Sequence, residues 1–293
     1  MFELLLKPPG VGGGARLLLD TLASAFKGAY SSRKLRAGYA GAGLRVRRSS
    51  DSAEQDIGFS GLWLDTTALT SFVGSGSGYV SKWYDQSGNG NDLAMATTAN
   101  QPRIVNAGTV DNFGDTNSRP CLYFGGGNVA LACTLTTGRT DTKHGIFGVA
   151  SGGGAAGAAR LLGTMGNGAT ADYASNGFIN AILDTGSNLN GYWNNVFLNG
   201  SAWSTGTARH QFSAYEDAGG FYNVSVDGAA AGTHGLAQSI SEPRTLTLGN
   251  APVPNTGTGW VGHICEILYF ANAPASGDPP AARSDQQAAF GTA

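Results

Sequence analysis

With 41% hydrophobic residues, a chain of 293 residues can fill a sizeable core, while 46 glycines and only 13% charged residues describe many tight turns and a weakly charged surface. That balance excludes a helical bundle. A formal charge of −2 excludes a partner that must be held by a broad basic face, so neither nucleic acid nor an anionic membrane surface is expected, and no apolar segment reaches the length of a membrane span.

Residues 1–15 come first. Phe2, Leu4, Leu5 and Leu6 form an apolar run before Pro8-Pro9-Gly10 and Gly12-Gly13-Gly14, so the segment reads as an extended docking arm with a flexible joint. The run is too short for the apolar stretch of a secretory signal, and Glu3 sits where a basic flank belongs; synthesis in the cytosol with no signal peptide is expected.

Residues 16–293 read as one domain. In 16–30, Leu18, Leu19, Leu22, Ala25, Phe26 and Ala29 recur at helical spacing, which predicts a short N-terminal amphipathic helix. Leu44-Arg45-Val46-Arg47-Arg48 alternates like a half-buried strand, and residues 66–72 suggest a second small helix. From Tyr79 onward short apolar or alternating runs are separated by Gly, Asn, Asp and Ser clusters. Strands are predicted at 79–84, 102–105, 121–124, 144–150, 178–183, 192–198, 208–215, 222–226, 244–248 and 261–270. So many short strands predict an all-β fold, a two-sheet antiparallel jelly-roll sandwich. Asp278-Pro279-Pro280 ahead of Ala-rich turns predicts a short closing C-terminal helix.

Cys121, Cys133 and Cys265 show no metal or redox spacing. Buried free thiols are expected, with a Cys121–Cys133 bridge across adjacent strands as the alternative. The loop from Asp85 to Asp92 is rich in side-chain oxygens, and Gly88 and Gly90 let it curl. Asp85, Asn89 and Asp92 are therefore candidate calcium ligands, beside the readings of a carbohydrate contact and of a turn bonded to its own backbone. No other cofactor is expected. Sugars are held by aromatic faces with amide partners, which singles out Tyr192, Trp193, Asn194, Trp203 and Trp260. Filling the core is the other reading of these tryptophans and the one expected for most of them; Trp203, flanked by Ser201, Ser204, Thr205 and Gly206, is singled out as the one to be exposed, and Trp83 is expected in the core. The four histidines are scattered without metal-binding spacing. Glu216-Asp217 reads as a hairpin tip, and Glu266 as a mid-strand acid with an arginine or backbone partner.

Three stretches carry a resemblance. Arg45-Val46-Arg47-Arg48-Ser49-Ser50-Asp51, Trp83-Tyr84-Asp85-Gln86-Ser87-Gly88-Asn89-Gly90-Asn91-Asp92 and Gln101-Pro102-Arg103-Ile104-Val105 resemble the N-terminal part of the α-L-arabinofuranosidase B catalytic domain. Similar segments occur in structural proteins of bacteriophages, ahead of a laminin-G-like half. Here that half resembles Asn223-Val224-Ser225-Val226-Asp227-Gly228, Leu246-Thr247-Leu248-Gly249 and Gly262 to Tyr269. The resemblance implies a concanavalin A-like fold. The enzymes of this family place their nucleophile and acid/base in the later half, beside two adjacent cysteines, and this sequence has no adjacent cysteines, so catalysis is not the expectation. The expected function is that of a phage virion structural protein, made in the host cytoplasm. Its arm would dock on other virion proteins, its homo-oligomers would build the particle, and its sandwich would face host glycans. The other readings are an arabinofuranosidase-like glycoside hydrolase and a lattice module without ligand.

Overall fold

The structure is a computed structural model that describes residues 16–292 apart from 113–118, 136–144, 153–158, 167–176, 184–187, 194–195, 207, 231–233, 236–242, 251–258 and 271. The all-β expectation holds. Nearly every strand belongs to one continuous antiparallel sheet, and two short strands, Phe59–Ser60 and Trp63–Leu64, pair apart from it.

Val261–Phe270 is its spine. One edge of this strand pairs with Gly145–Ser151; the other pairs with Phe26–Ser31 and Leu122–Gly125 in succession. Beyond Leu122–Gly125 the sheet runs through Arg103–Asn106, Gly78–Trp83 and Leu44–Arg48 to Glu54–Ile57. Beyond Gly145–Ser151 it runs through Arg209–Glu216 to Phe221–Val226. A third run leaves Gly78–Trp83 by the short strand Leu93–Ala94. It continues through Leu131–Thr134, Pro243–Leu248, Ala159–Gly166, Gly177–Leu183 and Asn188–Trp193 to Val196–Ala202, which comes back against Phe221–Val226. The sheet thus curls into a half-barrel around one large core that includes Trp83, Phe124, Trp203, Phe212 and Trp260. Two separate stacked sheets were expected; Leu93–Ala94 is the bridge that joins them into one, because it pairs on both its edges.

From Ile264 onward the spine is buried on both faces. Ile264, Ile267 and Tyr269 pack into the large core, whereas Leu268 and Phe270 join Phe26, Phe147 and Ala282 beneath the closing helix Asp278–Phe290. This explains why Gly145–Ser151 reads as a continuous buried run rather than an alternating one.

Three expectations are corrected. The predicted N-terminal helix shrinks to Leu18–Thr21, and Phe26–Ser31 is a strand, since the free edge of the spine offers those residues backbone partners and two apolar faces to fill. The predicted 192–198 strand is a hairpin, with Trp193 opposite Val196. Cys121 and Cys265 form a disulfide, where buried free thiols were expected and a Cys121–Cys133 bridge was the alternative. Leu122 lies opposite Ile264, which brings the two cysteines to a Cα separation of 4.5 Å, while Cys133 stands opposite Leu246 with a free thiol. Burial pushes that thiol up to about 12.

Two turns rest on the backbone freedom of their residues. Asp227 and Gly228 both have positive φ, 50° and 84°, as a tight hairpin of this twist requires. Gly249, at φ 82°, ends its strand where a Cβ would stand 2.1 Å from the Phe124 ring. Helix Thr66–Val73 forms where predicted, capped by Asp65, whose carboxylate accepts from Ala68 N.

Candidate functional site

The oxygen-rich loop spends its acceptors on the protein itself. Asp85 accepts from the backbone N–H groups of Ala29, Ser87 and Asn91 and from the Ser87 hydroxyl; Asp92 accepts from Asp85 N and faces Lys82 at 3.4 Å. Asn89 donates to Phe26 O, and Gln86 donates to Ser31 O and Arg33 O while accepting from Leu35 N. The loop is a clamp that pins Phe26–Ser31 to the sheet. No group of three potential metal ligands occurs among the described residues.

Glu266 is fully buried, in a network that explains how a carboxylate survives there. Arg33 grips it with Nε at 2.7 Å and Nη2 at 3.0 Å, Ser31 Oγ donates at 2.8 Å, and Gln286 Nε2 donates at 3.1 Å from the closing helix. Arg33 also pairs with Asp285. Burial works against the charge of Arg33, and the two acids outweigh it, so its pKa stands above the usual arginine value. The expectation that Glu266 has an arginine partner is met. With both oxygens occupied, Glu266 holds the helix to the spine and has no free lone pair for a substrate.

A third polar centre lies at the end of the strands around Trp203. Its indole is only 1% exposed and donates to Gly152 O at 2.7 Å; Trp260 donates to Ser151 O at 3.1 Å, and the two rings meet edge to face at 5.6 Å. Against Trp203 lies the His210 ring, with centroids 4.4 Å apart. His210 Nδ1 is 2.5 Å from Asp227 Oδ2, and the second oxygen of Asp227 accepts from Gln211 N at 2.9 Å.

The sugar-contact residues therefore separate. Trp203 and Trp260 are core residues, which corrects the exposed placement of Trp203: Ser204, Thr205 and Gly206 beside it lie at the surface while its ring turns inward to satisfy its N–H and fill the core. Tyr192 and Trp193 lie on the strand Asn188–Trp193, and Asn194 falls outside the described residues, as do the arm residues Phe2, Leu4, Leu5 and Leu6. Trp83 is buried as expected. The approach of His210 to Asp227 escaped sequence reasoning. The only signal was the Asp-Gly turn, and the partner becomes visible once Phe212 is set opposite Val226.

The curled all-β fold is one used by glycosidases. An arabinofuranosidase complexed with arabinofuranosyl-α-1,2-xylobiose superposes with a TM-score of 0.70 at 16% identity, over 93% of this chain and 64% of that one. A GH54 α-L-arabinofuranosidase soaked with a cyclic sulfate inhibitor gives 0.70 at 16% identity, over 90% and 63%. A Trypanosoma rangeli sialidase in complex with 2,3-difluorosialic acid gives 0.51 at 12% identity, over 72% and 32%. No curated protein matches the sequence. The profile of the family described as alpha-L-arabinofuranosidase B, catalytic, matches residues 23–227. The chain belongs to this family, and it spans 64% of the length of the first arabinofuranosidase. The virion reading is overturned by these findings: the family match and the structural likenesses lead to arabinofuranosidases, and the phage-like stretches within residues 45–105 lie inside the family match.

Proposed function

We propose that the chain is an arabinofuranosidase-like glycoside hydrolase, acting on α-L-arabinofuranosyl groups of a glycan. The observation that carries this reading is the family match over residues 23–227, which the fold likeness over most of the chain supports. We also read the curl of the sheet as a jelly-roll sandwich of the concanavalin A type.

The chemistry needs two carboxyl groups placed across the glycosidic bond, one of them protonated. Asp85 and Glu266 are committed to other partners, which favours a second reading: a module that holds arabinofuranosyl groups without cleaving them. One experiment separates the two. Purified protein is mixed with 4-nitrophenyl α-L-arabinofuranoside, and both nitrophenol release and equilibrium binding are followed. Release at enzyme-proportional rates supports the hydrolase, binding without release supports the module, and the absence of both release and binding overturns the arabinofuranosyl reading.

A further inference from the structure

The His210–Asp227 pair has a third member. Ser204 Oγ lies 2.8 Å from His210 Nε2, the ring nitrogen that Asp227 does not contact, so hydroxyl, imidazole and carboxylate form a continuous chain. Ser204 is exposed, on the loop between Val196–Ala202 and Arg209–Glu216, whereas His210 is buried against Trp203 and cannot swing away. Each member is held. Asp227 sits in the tight Asp-Gly turn with its other oxygen bound to Gln211 N, and Trp203 is anchored on Gly152 O. With Nδ1–H donated to Asp227, the Nε2 lone pair is left for the Ser204 proton, which is the arrangement that makes a serine nucleophilic.

From this geometry we infer a second activity, independent of glycoside cleavage: acyl transfer from a carboxylic ester, with Ser204 as nucleophile, His210 as general base and Asp227 as positioning residue. Ser204 Oγ forms a bond to the carbonyl carbon as its proton moves to His210 Nε2; the alkoxide leaves with that proton as the alcohol. Water then gives a proton to Nε2 as its oxygen bonds to the acyl carbon; the Ser204 Oγ–acyl bond breaks as the Nε2 proton passes to Ser204 Oγ, which releases the carboxylic acid and restores serine and neutral imidazole. While Nε2 carries the proton, Ser204 O at 3.1 Å accepts from it. Space beside Gly206 in this exposed loop is clear, since a Cβ there would meet nothing within 4 Å, which leaves room for an ester to approach Ser204.

The test uses a fluorophosphonate, which labels an activated serine with loss of fluoride, and 4-nitrophenyl acetate as the ester. The folded chain should acquire one adduct, located at Ser204 by peptide mass spectrometry, and should hydrolyse the ester. Ser204→Ala, an exposed change, should abolish the adduct and lower ester turnover at least ~100-fold, with arabinofuranoside turnover or binding unchanged. Asp227→Asn should lower kcat for the ester with KM kept, a split that a merely structural role would not produce. An unlabelled Ser204 in the folded protein, or equal ester turnover in Ser204→Ala, overturns the proposal. The labelling result needs no variant and is read separately from the arabinofuranoside assay.

Discussion

One strand, Val261–Phe270, carries two ionisable residues with opposite circumstances. Glu266 points under the closing helix into the Arg33–Asp285–Gln286 network. Three residues earlier, His263 ends a ladder on the outer face of the sheet. There Arg47, Tyr79, Arg103, Tyr123 and His263 stand opposite one another across five strands. In the ladder Arg47 lies over the Tyr79 ring at 5.1 Å and Arg103 over Tyr123 at 4.7 Å, with Asp111 gripping Arg103 from the side. The difference is the lid. Where a helix removes water, every lone pair and N–H must be matched within the protein; where none does, stacking and solvent share the task, and each contact is worth less.

The sharpest way to break this comparison is Glu266→Ala. It leaves Arg33 charged and buried with only Asp285 beside it, and should cost about 3–5 kcal/mol in a urea titration. A loss under ~1 kcal/mol would put the buried network on the same footing as the ladder. Next comes the covalent tie beside it. Cys265→Ser, or reduction of the wild-type chain, opens the Cys121–Cys265 bridge and should cost about 2–4 kcal/mol, the usual range for a disulfide, by the same titration, with the variant insensitive to reductant.

The smallest effect belongs to the ladder. Arg103→Ala should cost less than ~1 kcal/mol, and less again in high salt. His263 gives this face a pH signature. Burial lowers its pKa below 6.5, so the folded state favours the neutral ring; the stabilisation is present above 6.5 and is lost as pH falls through the folded value. His263→Asn should flatten the decline of stability on the acid side of 6.5, and an unchanged slope would assign that decline to the carboxylates.

Much of the fold was legible in local patterns. Most strands from Gly78 onward, the closing helix and the Asp227-Gly228 turn follow from alternation, early prolines and positive-φ chemistry, which act within a few residues. Less of the candidate site was legible. The Asp85–Asp92 loop could be read as a self-bonded turn, but nothing local told that reading from a calcium site, because the same oxygens serve both. Trp203 looked exposed since its neighbours are polar, yet a single indole turns inward when its N–H finds a carbonyl.

What the sequence by itself determined is the set of elements: short apolar strands, the turns that separate them, and an all-β class with little helix. Only the tertiary structure decided which of them meet. The helical spacing of residues 16–30 lost to the open edge of the spine, Cys121 found Cys265 across two antiparallel strands, and Ser204, His210 and Asp227 converged from a loop, a strand and a turn. Strand register makes such contacts, and register is set by the packing of distant segments rather than by any residue's neighbours along the chain.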